Sequence, residues 1–166
     1  MNILRISLIS PKIQPGDISL NINEHISHIR SNNSDIYVFP ELSVSGYHCG
    51  DLFFNKNYLG ECIKGLLKLN KECLENNALA IVGSPIYYQG SLYNCAVILG
   101  LSKILCKSKI ELCVNQEYYE ERWFKSGLFL NAPISVKDTS FSFELSNTLF
   151  PVDLFFNGES LRLAID

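Results

Sequence analysis

Asp35-Ile-Tyr-Val-Phe39 runs directly into Pro40-Glu-Leu-Ser-Val-Ser-Gly-Tyr-His-Cys-Gly-Asp-Leu-Phe53. The first five residues read as an apolar strand. Pro40 stops it, and Glu41 then stands alone at its carboxyl end, followed by small residues and Gly46, which turn the backbone and leave room beside the carboxylate. α/β proteins place their chemistry at the carboxyl ends of buried strands. Upstream, Leu4-Arg-Ile-Ser-Leu-Ile-Ser10 alternates as a strand does, Pro11 and Pro15-Gly16 break it, and Asp17 is a good helix N-cap. Ile18, Ile22, Ile26 and Ile29 recur on one face of a helix that Ser31-Asn-Asn-Ser34 ends. Strand, helix and strand within about forty residues form a βαβ crossover, which predicts neighbouring parallel strands.

Downstream, a second amphipathic helix is predicted from about Asn57 to Leu74, with Leu59, Ile63, Leu66, Leu67 and Leu74 on or near one face. Leu79-Ala-Ile-Val-Gly83 reads as a buried strand. Leu92 to Leu99 and Ser102 to Cys106 read as a hairpin around Gly100. Residues 107 to 131 lack periodicity and predict a long loop. Phe141 to Phe143, Leu154 to Phe156 and Leu161 to Ile165 read as short strands. Leu161 to Ile165 has the composition of a core strand, yet the sequence stops at Asp166 with nothing to close the sheet. A boundary is normally an exposed polar linker, so the chain is expected to be part of a longer polypeptide.

The 166 residues accommodate one α/β domain and not two, and 47% apolar with 19% charged residues is globular composition. A net charge of −3 argues against nucleic acid or an anionic membrane as partner. No run approaches the roughly 20 apolar residues of a membrane helix, and no signal peptide opens the chain, so a cytoplasmic protein is expected. Cys62 and Cys73 fall in a helical run and Cys95 and Cys106 in strand-like runs, which is the placement of buried thiols that act as small hydrophobes. There is no CxxC, and His25, His28 and His48 lack ligand spacing, so no metal site is expected.

Four features remain as candidates for chemistry. A glutamate chosen at random is a surface or capping acid; the position of Glu41 after strand and proline favours a general base instead. Lys109, just past the strand ending at Cys106, can bring its ammonium to the same pocket mouth, stabilise an oxyanion and lower the pKa of an acid. Lys107 is an equal choice on spacing. In Glu117-Tyr-Tyr-Glu-Glu-Arg-Trp-Phe124, aromatics interleaved with acids read as a solvated turn on an aromatic surface, or as a flap in which Glu120 holds a buried lysine. Asn94 reads as a polar residue at a strand edge.

Phe39-Pro-Glu-Leu-Ser-Val-Ser-Gly-Tyr47 resembles the glutamate motif of the nitrilase, or carbon-nitrogen hydrolase, superfamily. Gly50-Asp-Leu-Phe53 narrows the resemblance to the glutaminase domain of glutamine-dependent NAD synthetases. Leu92-Tyr-Asn-Cys-Ala-Val-Ile98 is similar to that family's YNxAVV strand, and residues 109 to 124 to its lysine motif with a FYEKRWF-like continuation. The resemblance implies a nitrilase-like α-β-β-α sandwich, of which residues 1–166 are the N-terminal part. It implies Glu41 as general base, Lys109 rather than Lys107 as catalytic lysine, Glu120 as the additional glutamate, and Tyr47 near bound glutamine. The family's nucleophilic cysteine follows a strand resembling Leu161 to Asp166 and is missing here. None of Cys49, Cys62, Cys73, Cys95, Cys106 or Cys113 stands at its place, which implies an inactive fragment. Cys113 replaces a family proline, and Asn115 a tyrosine.

The function implied is release of ammonia from glutamine, for ATP-dependent amidation of nicotinic acid adenine dinucleotide by a C-terminal synthetase domain. ATP and Mg belong to that domain, and no cofactor to the glutaminase part; a homo-oligomer is expected. The alternatives are a stand-alone nitrilase-type amidase or carbamoylase, which would lack the Gly-Asp-Leu-Phe extension, and a degenerate, non-catalytic nitrilase-like subunit.

Overall fold

The computed structural model describes residues 3–115, 118–130, 133–137, 142–148, 150–156 and 159–165. Asp17 caps the first helix, α1 (Ile18–Ser31), by accepting the Leu20 amide at 2.9 Å. Ile18, Ile22, Ile26 and Ile29 are its buried stripe, as the spacing predicts. Asn55 caps α2 (Lys56–Glu75) through the amides of Asn57 and Tyr58. The inward stripe of α2 is Leu59, Cys62, Leu66, Leu69 and Cys73. Leu74 lies about 100° off that line and is 52% exposed, against expectation. The helices meet closely at Gly65, where a Cβ would come within 2.8 Å of the Ile22 side chain.

Strands β1 (Ile6–Leu8), β2 (Ile36–Val38), β3 (Leu79–Tyr88), β4 (Ser91–Leu99), β5 (Ile104–Ser108), β6 (Ile134–Lys137) and β7 (Ser142–Ser146) form a seven-stranded sheet in the order β1-β2-β3-β4-β5-β7-β6. β1, β2 and β3 are parallel, joined by α1 and α2 as crossovers; β3, β4 and β5 are antiparallel. β3 runs to Tyr88, five residues beyond the predicted end, and a turn at Gln89-Gly90, both at positive φ, returns it to β4. Beyond Ile81, β3 pairs with β4 alone among the described residues, so Pro85 lies in an edge segment where its missing N–H is tolerated. β6 is an element with no sequence expectation behind it.

The sheet's two faces differ. Tyr37, Ala80, Val82, Ile86, Val97, Leu99, Ile104 and Cys106 join α1 and α2 in the main core. Ile36 and Leu79 point the other way and pack with Val152, flanked by the partly buried Val38, Ile81 and Leu105. The described residues thus supply one helix layer on one face of the main sheet and, through Val152, the start of a second sheet layer on the other. β8 (Phe150–Phe156) carries Val152 and pairs antiparallel with β9 (Glu159–Ile165) as a separate two-stranded sheet. Leu161 to Ile165 is therefore a strand, as expected, but not one of the main sheet; Arg162 reaches across the hairpin to Asp153 at 2.6 Å. Glu117, Phe141 and Asp166 lie outside the described residues.

Candidate active site

The backbone around Glu41 is fixed by its neighbours on β3. The Phe39 amide donates to the Ile81 carbonyl at 2.9 Å and the Val44 amide to the Gly83 carbonyl at 3.0 Å, so the intervening turn is pinned at both ends. Gly83 makes the approach possible. A Cβ there would lie 2.0 Å from the Leu42 nitrogen and 2.6 and 2.7 Å from the Glu41 backbone carbons. All three are main-chain atoms that cannot rotate away. Gly83→Ala is expected to lower stability by about 2–3 kcal/mol, as overpacking against rigid atoms does, measured by urea denaturation; a neutral substitution would show that the Glu41 turn moves freely.

Strand geometry brings the partners in. Asn94 on β4, and Lys107 and Lys109 at the end of β5, line with Glu41 and Gly83 a cleft of about 420 Å³ on the sheet face away from the helices. The Lys109 amide donates to the Asn94 carbonyl at 2.8 Å, continuing the β4–β5 ladder one residue past Ser108. That register aims the Lys109 ammonium at two carboxylates: Nζ lies 2.8 Å from Glu41 Oε1 and 2.9 Å from Glu120 Oε2. Asn94 Nδ2 bridges the same pair, at 2.7 Å from Glu41 Oε1 and 3.2 Å from Glu120 Oε1. Asn94 is 3% exposed and no mere strand-edge residue. The signal was available, since a lone amide inside an apolar strand must find a partner.

The two carboxylates are not equivalent. The Glu120 side chain is 3% exposed and that of Glu41 45%. Glu120 sits in the single 3₁₀ turn Glu120–Arg122 and accepts four bonds: from Lys109, Asn94, the Tyr47 hydroxyl at 3.2 Å and the Cys113 amide at 2.6 Å. Burial alone would raise its pKa, but the Cys113 amide, Lys109 and Tyr47 outweigh burial and hold the carboxyl below the ordinary Glu value. Burial would likewise lower the Lys109 pKa; the bonds to Glu41 and Glu120 and their charges raise it instead. Burial, then the charge of Glu120, pushes the Tyr47 hydroxyl up to about 12. Glu120 is saturated as an acceptor, and its bond and charge help to keep Lys109 a cation. Glu41 faces the cleft with capacity to spare and is the carboxylate able to meet a ligand's proton.

The loop carrying Glu120 is tied to the segment after Glu41. Asp51 accepts Arg122 at 3.1 Å and the Trp123 indole at 3.4 Å, Phe53 meets Phe124 edge-on at 4.9 Å, and Tyr118 packs against Tyr47 and His48. Cys113 bonds Glu120 through both its amide and its carbonyl, and Asn115 bonds the Cys113 sulfur at 3.3 Å. Cys49, Cys62, Cys73, Cys95 and Cys106 are buried and Cys113 partly so, all as free thiols. Burial pushes Cys62 and Cys73 up to about 12, which suits packing and not nucleophilic attack. Among the described residues no three His, Cys, Asp or Glu side chains converge as metal ligands, and no helix is long and apolar enough to cross a membrane.

Known proteins share this arrangement of strands and helices. The chain is 31% identical over 116 residues to a glutamine-dependent NAD(+) synthetase of Oryza sativa subsp. indica, covering 68% of this chain and 15% of that protein. It is 30% identical over 127 residues to the enzyme of that name from Aquifex aeolicus, covering 75% of this chain and 22% of that one. The crystal structure of a glutamine-dependent NAD(+) synthetase from Cytophaga hutchinsonii superposes with a TM-score of 0.78 at 22% identity, over 90% of this chain and 26% of the other. The chain thus spans about a quarter or less of each of these proteins. The carbon-nitrogen hydrolase family model matches residues 8–152, nearly the whole sheet and both helices, and the chain belongs to that family.

Proposed function

We propose that this chain is the N-terminal part of the glutaminase domain of a glutamine-dependent NAD synthetase. In this reading Glu41 is the general base. It takes the proton of a cysteine supplied from outside residues 1–166, and the thiolate attacks the side-chain amide of glutamine. Lys109, kept cationic by Glu120, stabilises the oxyanion that develops. Glu41 then passes its proton to the departing ammonia and afterwards activates water to hydrolyse the thioester. Tyr47 and Asn94 are positioning residues that act through Glu120 and Glu41. The released ammonia serves a synthetase domain elsewhere in the polypeptide, and ATP and Mg belong to that domain.

The observation that carries the proposal is the ammonium of Lys109 held between a cleft-facing and a buried carboxylate, in a chain whose relatives named above are glutamine-dependent synthetases. The test compares residues 1–166 with a polypeptide extended in frame beyond Asp166. The shorter chain is expected to release no ammonia from glutamine above the uncatalysed background; the extended one, with a cysteine in the first residues added, hydrolyses glutamine. Hydrolysis by residues 1–166 alone, or an extension that lacks such a cysteine, overturns the proposal.

A further inference from the structure

Leu42, the residue after Glu41, has φ of +50°. A leucine in the left-handed region is strained and persists only where its surroundings over-determine it. Besides the bonds to β3 already described, α1 supplies two side chains that hold this turn. His25 and Asn21, one helical turn apart, are both 0% exposed polar residues on a helix face otherwise made of isoleucine. His25 Nε2 lies 2.9 Å from the Ser43 hydroxyl, and Asn21 Nδ2 donates to the Val44 carbonyl at 3.1 Å. The Asn21 amide group also joins the turn to the segment before α1, bonding both the amide and the carbonyl of Gln14 at 2.8 and 3.0 Å.

The donor directions follow from the chemistry. His25 Nδ1 lies 2.6 Å from the Asn21 carbonyl, which only accepts, so Nδ1 carries the proton. Burial holds the imidazole down at about 4, so it is neutral near pH 7 and Nε2 is a bare acceptor. The Ser43 hydroxyl, 1% exposed, therefore donates to it. Phe39 packs against the ring at 4.2 Å between centroids, so the strand end before Glu41 and the turn after it both rest on His25.

We propose that His25, with Ser43, is a positioning residue for Glu41: from α1 it locks the strained Leu42-Ser43 turn, and so aims the carboxylate at Lys109. The catalytic consequence rests on the glutaminase reading above; the clamp itself does not. Two variants test it, Ser43→Ala, which removes the donor with one atom, and His25→Leu, with His25→Gln restoring an acceptor near the Nε2 position.

In the chain itself, the amides of Val44 and Gly46, bonded to Gly83 and Leu42 at 3.0 and 2.7 Å, are followed by hydrogen exchange. Ser43→Ala and His25→Leu are expected to speed their exchange by about ten- to a hundredfold, in line with a buried group left unsatisfied. Amides of α2 and β4 keep their protection, and His25→Gln recovers most of the loss. Acceleration spread evenly over α2 and β4 would mark a general stability effect and overturn the proposal, as would unchanged exchange at Val44 and Gly46. In the polypeptide that hydrolyses glutamine, Ser43→Ala is expected to lower kcat by about 10²-fold with little change in KM, the size of effect that a small misplacement produces. Faster local exchange with unchanged kcat would also overturn it. A parent without glutaminase activity would sink the functional reading alone, and the exchange data would still decide the clamp.

Discussion

Under the proposed function, Glu41→Gln is expected to remove glutamine-dependent ammonia release from the extended polypeptide by a factor of about 10³ or more. The substitution is nearly isosteric. Glu41 Oε1 accepts from Asn94 at 2.7 Å and from Lys109 at 2.8 Å, and a glutamine carbonyl oxygen accepts the same two bonds. What disappears is the charge and the ability to take a proton, a function worth about 10²–10⁴ in rate on its own. Stability should hardly move, because the Glu41 side chain is 45% exposed and ion pairs in that setting contribute about 0–1 kcal/mol. Under the same reading, synthesis from added ammonia is expected to survive, since that step belongs to the proposed synthetase domain. Glutamine-driven and ammonia-driven NAD formation are measured side by side with urea denaturation of each protein. Retention of a tenth of the glutamine-driven rate would remove Glu41 from the role of base; loss of both activities with an intact fold would sever the link between this site and a separate synthetase.

The α/β class and the place of Glu41 were legible because they rest on local signals. The isoleucine stripe of α1, the Asp17 cap and the Pro40 stop each act within a few residues, and each is found where the periodicity puts it. Other features depend on distant partners. β3 continues through Ser84-Pro85 because the strand beside it ends at Val38, which no reading of Pro85 alone reveals. Among the described residues β9 pairs only with β8, because pairing is a choice among strands and not a property of one. At the site, spacing left Lys107 and Lys109 level. Both line the cleft, and it is the register of β5 against β4, with the Lys109 amide on the Asn94 carbonyl, that directs the Lys109 ammonium to both carboxylates. Asn94 was undervalued for the same reason: its two acceptors come from positions 53 residues before it and 26 after it.

Lys109→Met is expected to destabilise the chain by about 2–3 kcal/mol near pH 7, the cost of leaving a buried carboxylate without its charged partner; the lysine, 32% exposed, is itself only partly buried. The stranded charge is Glu120. With its side chain 3% exposed it has no water to turn to, and it keeps only Asn94, Tyr47 and the Cys113 amide as donors. The sign of the pH dependence separates this cause from lost packing. In the unsubstituted chain the Glu120 pKa is lowered on folding, so its contribution is present above the unfolded value of about 4.3 and is lost as pH falls through the folded value. The Lys109 pKa is raised, so its contribution is complete below the unfolded value of about 10.4 and is lost only as pH rises through the folded value. Both are intact at neutral pH. Without the lysine, burial is offset only by the Cys113 amide and the remaining donors, so the Glu120 pKa is lowered less on folding and less stability depends on its being ionised. The gap between variant and unsubstituted chain therefore narrows from pH 7 toward pH 4, and urea midpoints at the two values measure it. Adding Glu120→Gln to Lys109→Met removes the stranded charge and is expected to recover about half the loss or more, a coupling that two independent sites would not show. A loss below about 1 kcal/mol at pH 7, the same at both pH values and untouched by the second substitution, would mean that the Lys109–Glu120 pair contributes nothing to the fold.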